Sequence, residues 1–156
     1  MSDQMSVDME LLIFDVIRGK LFYQRVYEQT LDQLDPDVSA SMLLSHFVKD
    51  AEATPPRFLL HSTSWRYTDG AIMLTYCAIG RHVCLDTDEP MSPVIDPRMV
   101  HGSAERPAPE DIPESAVASH ALRHLILLLA SPIGQEYRNA LSKSQLAVLA
   151  SFGEIL

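Results

Sequence analysis

Asp69-Gly70 separates two extended runs, Phe58–Thr68 (FLLHSTSWRYT) and Ala71–Gly80 (AIMLTYCAIG). The dipeptide suits a two-residue hairpin turn, in which both central residues need positive φ. Such a turn fixes register, and register assigns every side chain to one of two faces. With Thr68 opposite Ala71, Trp65 meets Leu74, Ser64 meets Thr75 and His61 meets Ala78. Alternation then puts His61, Thr63, Trp65 and Tyr67 on one face with Ile72, Leu74, Tyr76 and Ala78. Ser62, Ser64 and Arg66 fall on the other with Met73, Thr75 and Cys77. The first face is bulky and aromatic and is expected to be core, against a helix over 36–53 or 114–130. The second, with three hydroxyls and an arginine, is expected to face water. A sharper expectation makes it the floor of a pocket where Arg66 meets an anion, because a guanidinium matches carboxylate or phosphate. HSTSWR is split by this register and cannot act as one site.

Around the hairpin the chain is punctuated clearly. Residues 1–9 read as a loose terminus, and residues 10–17 as a strand. Arg18-Gly19-Lys20 is a turn. Residues 20–34 suit either a helix or a strand pairing back on 10–17, with a strand favoured at the start. Asp35-Pro36 opens a helix, an N-cap followed by proline in the first turn, which Thr54-Pro55-Pro56 ends. Residues 82–85 read as one more short strand. Residues 86–113 hold six of the ten prolines among many acids, the composition of a mobile arm or a lid. Residues 114–130 are apolar nearly all round, as in a deeply buried helix. Ser131-Pro132 opens a short helix, and Ser142 with Gln145 forms a capping box for the last one. Leu146, Leu149 and Ala150 are expected to face inward there. The expected fold is α+β in a single domain, 1–156. An antiparallel sheet of four to five strands surrounds the hairpin, with helices packed on one face and a long acidic Pro-rich loop.

Composition narrows the function classes. The net charge of −9 is spread evenly: residues 1–80 hold 11 acids and 6 bases, residues 81–156 hold 10 and 6. No basic stripe offers itself to a phosphate backbone, so nucleic acid is disfavoured. No apolar run approaches the ~18 residues of a membrane span. The acidic start lacks the pattern of a secretory signal, and cytoplasmic residence is expected. Two cysteines, Cys77 and Cys84, make no disulfide framework.

Few residues suggest chemistry. His120 and His124 stand four apart on the 114–130 helix, a spacing that chelates zinc if a third ligand arrives from His61, His82 or His101. The competing reading has both histidines hydrogen-bonded within the fold. Arg66 and Arg123 lie inside regular, partly apolar elements and need partners; if they converge they make an anion site, with His61 beside it. There is no nucleophile elbow, P-loop, dinucleotide fingerprint or C-x-x-C pair.

The strings H-S-T-S-W-R, L-T-Y and H-A-L-R-H-L together resemble a set of small bacterial proteins of unassigned function, over roughly 57–85 and 115–150. The resemblance implies that His61, Trp65, Arg66, His120, Arg123 and His124 belong to one recurring pattern, and it implies no activity. The hairpin-then-helix order is also similar to Nudix hydrolases, but the glutamate-rich metal box of those enzymes is missing. The sequence therefore favours a non-enzymatic binding or interaction protein, a homodimer or a receptor for a small anionic ligand. The alternative is a small-molecule or metal-dependent enzyme with its site between the 58–80 hairpin and the 114–130 helix.

Overall fold

The computed structural model describes residues 6–29, 35–48, 58–68, 70–85, 92–93, 114–132 and 134–153. The class is α+β. Two hairpins form the sheet. β1 (Ser6–Ile17) pairs antiparallel with β2 (Lys20–Gln29), and β3 (Phe58–Thr68) pairs antiparallel with β4 (Ala71–Gly80). β1 and β4 then lie side by side in parallel, Ser6 opposite Ala71 and Ile13 opposite Ala78. A two-residue β5 (Ser92–Pro93) touches the outer side of β2, so the order is β3-β4-β1-β2-β5. The rest of the Pro-rich stretch lies outside the described residues.

Both turns follow their chemistry. Arg18 (φ +52°) and Gly19 (φ +76°) take the left-handed conformation that a two-residue hairpin loop requires. Gly70 does the same at φ +78°, and Thr68 faces Ala71 as expected. β1 begins at Ser6, inside the stretch expected to be loose, because its backbone pairs with β4 from Ser6 and with β2 as well from Asp8. Being central, it buries six consecutive residues, Met9 to Phe14. Residues 20–29 resolve as strand rather than helix.

The helices do not share one face, contrary to expectation. α1 (Pro36–Ser45) sits on one side, where Ala40 and Leu44 pack with Met9, Leu11, Ile13, Tyr76 and Ala78. α2 (Glu114–Ala130) and α4 (Lys143–Ala150) cover the other, with Leu122, Leu125 and Leu149 against Leu12, Phe14, Leu59 and Ile79. The reason is the period of two: β1 and β4 are apolar on both faces, and both need cover.

α1 ends at Ser45, earlier than the prolines suggested. The chain then turns extended, with Val48 bridging Val83 and the Cys84 amide donating to the Phe47 carbonyl. Among the described residues, that single bridge is what forms of the strand expected over 82–85. Asp35 caps α1 as expected, accepting from the Asp37 amide at 2.9 Å. The Ser142–Gln145 capping box is present in both directions. On α4, Leu149 is buried but Ala150 is exposed. The segment carrying α3 (Gly134–Arg138) and the start of α4 is tied to the end of β4. The Arg81 amide donates to Ala140 O, Arg81 Nε to Leu141 O, and Gln145 Nε2 to Gly80 O. No helix among the described residues is long and apolar enough to cross a membrane.

Candidate functional site

The hairpin register holds from the turn to Ser64/Thr75 and then slips. Thr63 forms a bulge: Ser62 pairs with Tyr76, His61 with Cys77 and Leu60 with Ala78. The Thr63 hydroxyl donates back to the Thr75 carbonyl at 3.3 Å. A bulge inserts one unpaired residue, so every side chain beyond it changes face. His61 therefore lies on the same face as Ser64, Arg66 and Cys77, not with Trp65. Ser62 moves the other way. His61 and Ser62 remain on opposite faces of the strand.

Burial at the hairpin tip is the reverse of the expected one. On the face with the hydroxyls, Ala71, Met73 and Thr75 are buried. On the aromatic face, Trp65 is 70% exposed and Tyr67 59%. Only the base of that face, at Leu74, Tyr76 and Ala78, joins the core beneath α1. On the first face, Arg66 and Thr75 are satisfied by each other and by Glu10. Trp65 and Tyr67 do not belong to the cluster that α1 joins, and α1 is only about 15 Å long at 1.5 Å per residue.

Those satisfied polar groups centre on Glu10, which is 1% exposed. Its carboxylate accepts from Arg66 Nη1, from Thr75 Oγ1 at 2.6 Å and from Arg25 Nε at 2.6 Å. Arg66 Nη1 also donates to Thr75 Oγ1 at 3.1 Å. Burial pushes the Glu10 carboxyl up. The hydrogen bonds from Arg66, Thr75 and Arg25 and the Arg66 charge outweigh it and hold the group below its ordinary range. The anion that meets Arg66 is thus a carboxylate of this chain. The sequence carried one signal for it: Glu10 shares the inward alternation of Leu12 and Phe14, where a lone charge needs a partner.

The remaining predicted residues gather elsewhere. The His120 and His124 rings lie 4.7 Å apart, edge to face, on α2. Burial and then the Arg123 charge lower the His120 pKa. For His124 the causes are burial, then the charges of His120, His61 and Arg123. His61, His120, Arg123 and His124 thus form one electrostatic neighbourhood. Arg66 is five residues from His61 along the strand, roughly 15 Å at the rise of an extended chain. The predicted constellation divides in two. Among the described residues, no group of three or more His, Cys, Asp or Glu side chains is placed to hold a metal ion; His101 lies outside them. Cys77 is fully buried, and burial pushes its thiol up to about 12, which removes thiolate chemistry at neutral pH.

A third feature has no counterpart in the sequence reading. A cleft of about 530 Å³ opens beside β3, bounded by Asp37 and Ser41 of α1, Tyr76 of β4 and Tyr137 of α3. Leu60, His61 and Ser62 all line it. Consecutive strand residues point to opposite faces, so it is the edge of β3 that fronts the cleft. β3 ends the sheet, and among the described residues no strand pairs with its outer side. Tyr76 donates to Asp37 Oδ1 at 2.6 Å. Burial, the Asp37 hydrogen bond and the charges of Asp37 and Asp35 raise its hydroxyl far above the usual phenol value. No protein-family model, curated protein or solved structure matches the chain.

Proposed function

We propose that this is a small non-enzymatic binding protein, resident in the cytoplasm, that takes up an extended segment of a partner along the free edge of β3. The observation that carries this reading is the cleft whose floor is the strand edge at Leu60–Ser62. Its volume falls within the range of ligand sites. An exposed edge offers a row of backbone donors and acceptors, the basis of recognition by strand addition. The Thr63 bulge separates a regular stretch at residues 58–62, where the cleft lies, from a second one at 64–68. Trp65 and Tyr67, exposed further along the same strand, extend the apolar contact area.

The test is a selection of unstructured peptides by phage display, followed by amide chemical-shift mapping. Selected peptides are expected to perturb residues 58–62, Asp37 and Ser41. N-methylation of alternate peptide amides is expected to abolish binding. Shifts confined to α2, or indifference to N-methylation, would sink the proposal.

A second reading is favoured by the His120–His124 ring contact with His61 close by: a metal or anion site on α2. Zinc or phosphate would then raise the melting temperature of the wild type but not of His120→Asn.

A further inference from the structure

From the two walls of the cleft we infer that the segment taken up at β3 is cationic: basic side chains alternate with apolar ones, the basic set facing α1. The inference rests on the strand-addition reading above and adds the chemistry of the partner. A strand laid against Leu60–Ser62 sends successive side chains to opposite sides of the sheet. On one side stands α1, which packs with Tyr76 and Ala78. It presents the exposed carboxylate of Asp37 and the exposed hydroxyl of Ser41. Asp35 adds a second negative charge, felt at the Tyr76 hydroxyl. On the other side stands Tyr137, which packs against the α2-covered cluster and offers an aromatic surface. A partner strand therefore meets acid on the α1 flank and, on the other, the Tyr137 ring with the His61 imidazole.

Charge complementarity selects among occupants. Among the described residues, no lysine or arginine lines the cleft. Arg66 and Arg25, the basic residues of the nearby sheet face, are both engaged by Glu10. The chain carries −9 overall. An acidic segment would be repelled locally and at long range, and a basic one steered in. A second copy of this chain is the poorer occupant. It too carries −9, and its β3 brings a bulge at Thr63 that interrupts a continuous edge-to-edge ladder.

Three five-residue peptides with capped ends discriminate these ideas: Lys-Leu-Lys-Leu-Lys, Ser-Leu-Ser-Leu-Ser and Glu-Leu-Glu-Leu-Glu. Binding to the full chain is read by fluorescence anisotropy, and its location by amide shifts. The lysine peptide is expected to bind at 58–62, to weaken about fivefold in Asp37→Asn, and to weaken again in about 0.5 M salt. Asp37→Asn keeps an acceptor for Tyr76, and unchanged circular dichroism and melting temperature certify its fold. If the serine peptide binds at 58–62 as tightly as the lysine peptide, or if Asp37→Asn changes nothing, the charge inference fails while strand addition stands. If no peptide perturbs 58–62, both fail. Sedimentation of the free protein supplies the last arm: a dimer whose contact maps to 58–62 makes a second copy the occupant and overturns the inference.

Discussion

The two faces of the β3–β4 tip differ in a way that inverts their chemistry. The face with Thr75, Met73 and the Arg66–Glu10 pair is closed, while the face with Trp65 and Tyr67 is open to water. Apolar character alone does not decide burial. What decides it is which face finds a covering element, and whether its polar groups find each other. A carboxylate held by two guanidinium groups and a hydroxyl tolerates enclosure. The Trp65 indole, outside the cluster that α1 joins, stays exposed. Among the described residues the two faces also differ in the length of their helices: α2 runs about 25 Å and α1 about 15 Å.

Truncating the two cores gives the largest expected effects. Leu122→Ala on α2 and Leu44→Ala on α1 should each lose about 2–5 kcal/mol in chemical denaturation, since both residues are fully buried. A small loss at Leu44 alone would show that α1 does not seal its face. Arg66→Met comes next, at about 1–3 kcal/mol, because it withdraws one of three donors from a buried carboxylate. It also shifts the acid limb. Glu10 has a lowered folded-state pKa, so its stabilisation is complete above the ordinary carboxylate value of 4.5 and is lost as pH falls through the folded value. In Arg66→Met the loss should begin at higher pH, and an unmoved acid limb would deny the network its role.

Histidines on α2 should give a weaker effect. The folded-state pKa values of His120 and His124 lie below 6.5. The contribution to stability is full above that value and declines as pH falls through the folded values. His120→Asn with His124→Asn should flatten the stability profile between about pH 7 and 5. An unchanged slope would place the titration elsewhere. Trp65→Ala is the smallest, within about 0.5 kcal/mol. A loss of ~3–5 kcal/mol, the figure for a core aromatic, would show that the open face is covered.

Local structure was legible wherever a short-range rule governed it. The two hairpin turns, the Asp35 cap, the Ser142 capping box and the bounds of α2 all follow from residues within a few positions of one another. The Thr63 bulge left no such mark, because nothing in HSTSWR distinguishes a regular strand from a bulged one. Its effect was nonetheless large: it carried His61 to the α2 side and Ser62 to the α1 side. Glu10 shows the same limit at longer range. Its inward parity was readable, but its partners Arg25, Arg66 and Thr75 come from three other strands. The cleft was illegible for the same reason, since α1, β3 and α3 meet there only through the tertiary fold.

The parallel seam between β1 and β4 sets an order of events during synthesis. Each hairpin closes through a two-residue turn and needs only its own neighbourhood. The seam joins Ser6 to Ala71, and that pairing cannot form until the second hairpin has left the ribosome. Until then the β1–β2 hairpin carries an unpaired inner edge with Leu11, Leu12 and Ile13 uncovered on it. Chain release, chaperone capture or crowding in that interval acts on a naked sticky strand. Substitutions that slow emergence or folding of residues 58–80 should therefore reduce soluble yield in cells more than they reduce the equilibrium stability of purified protein.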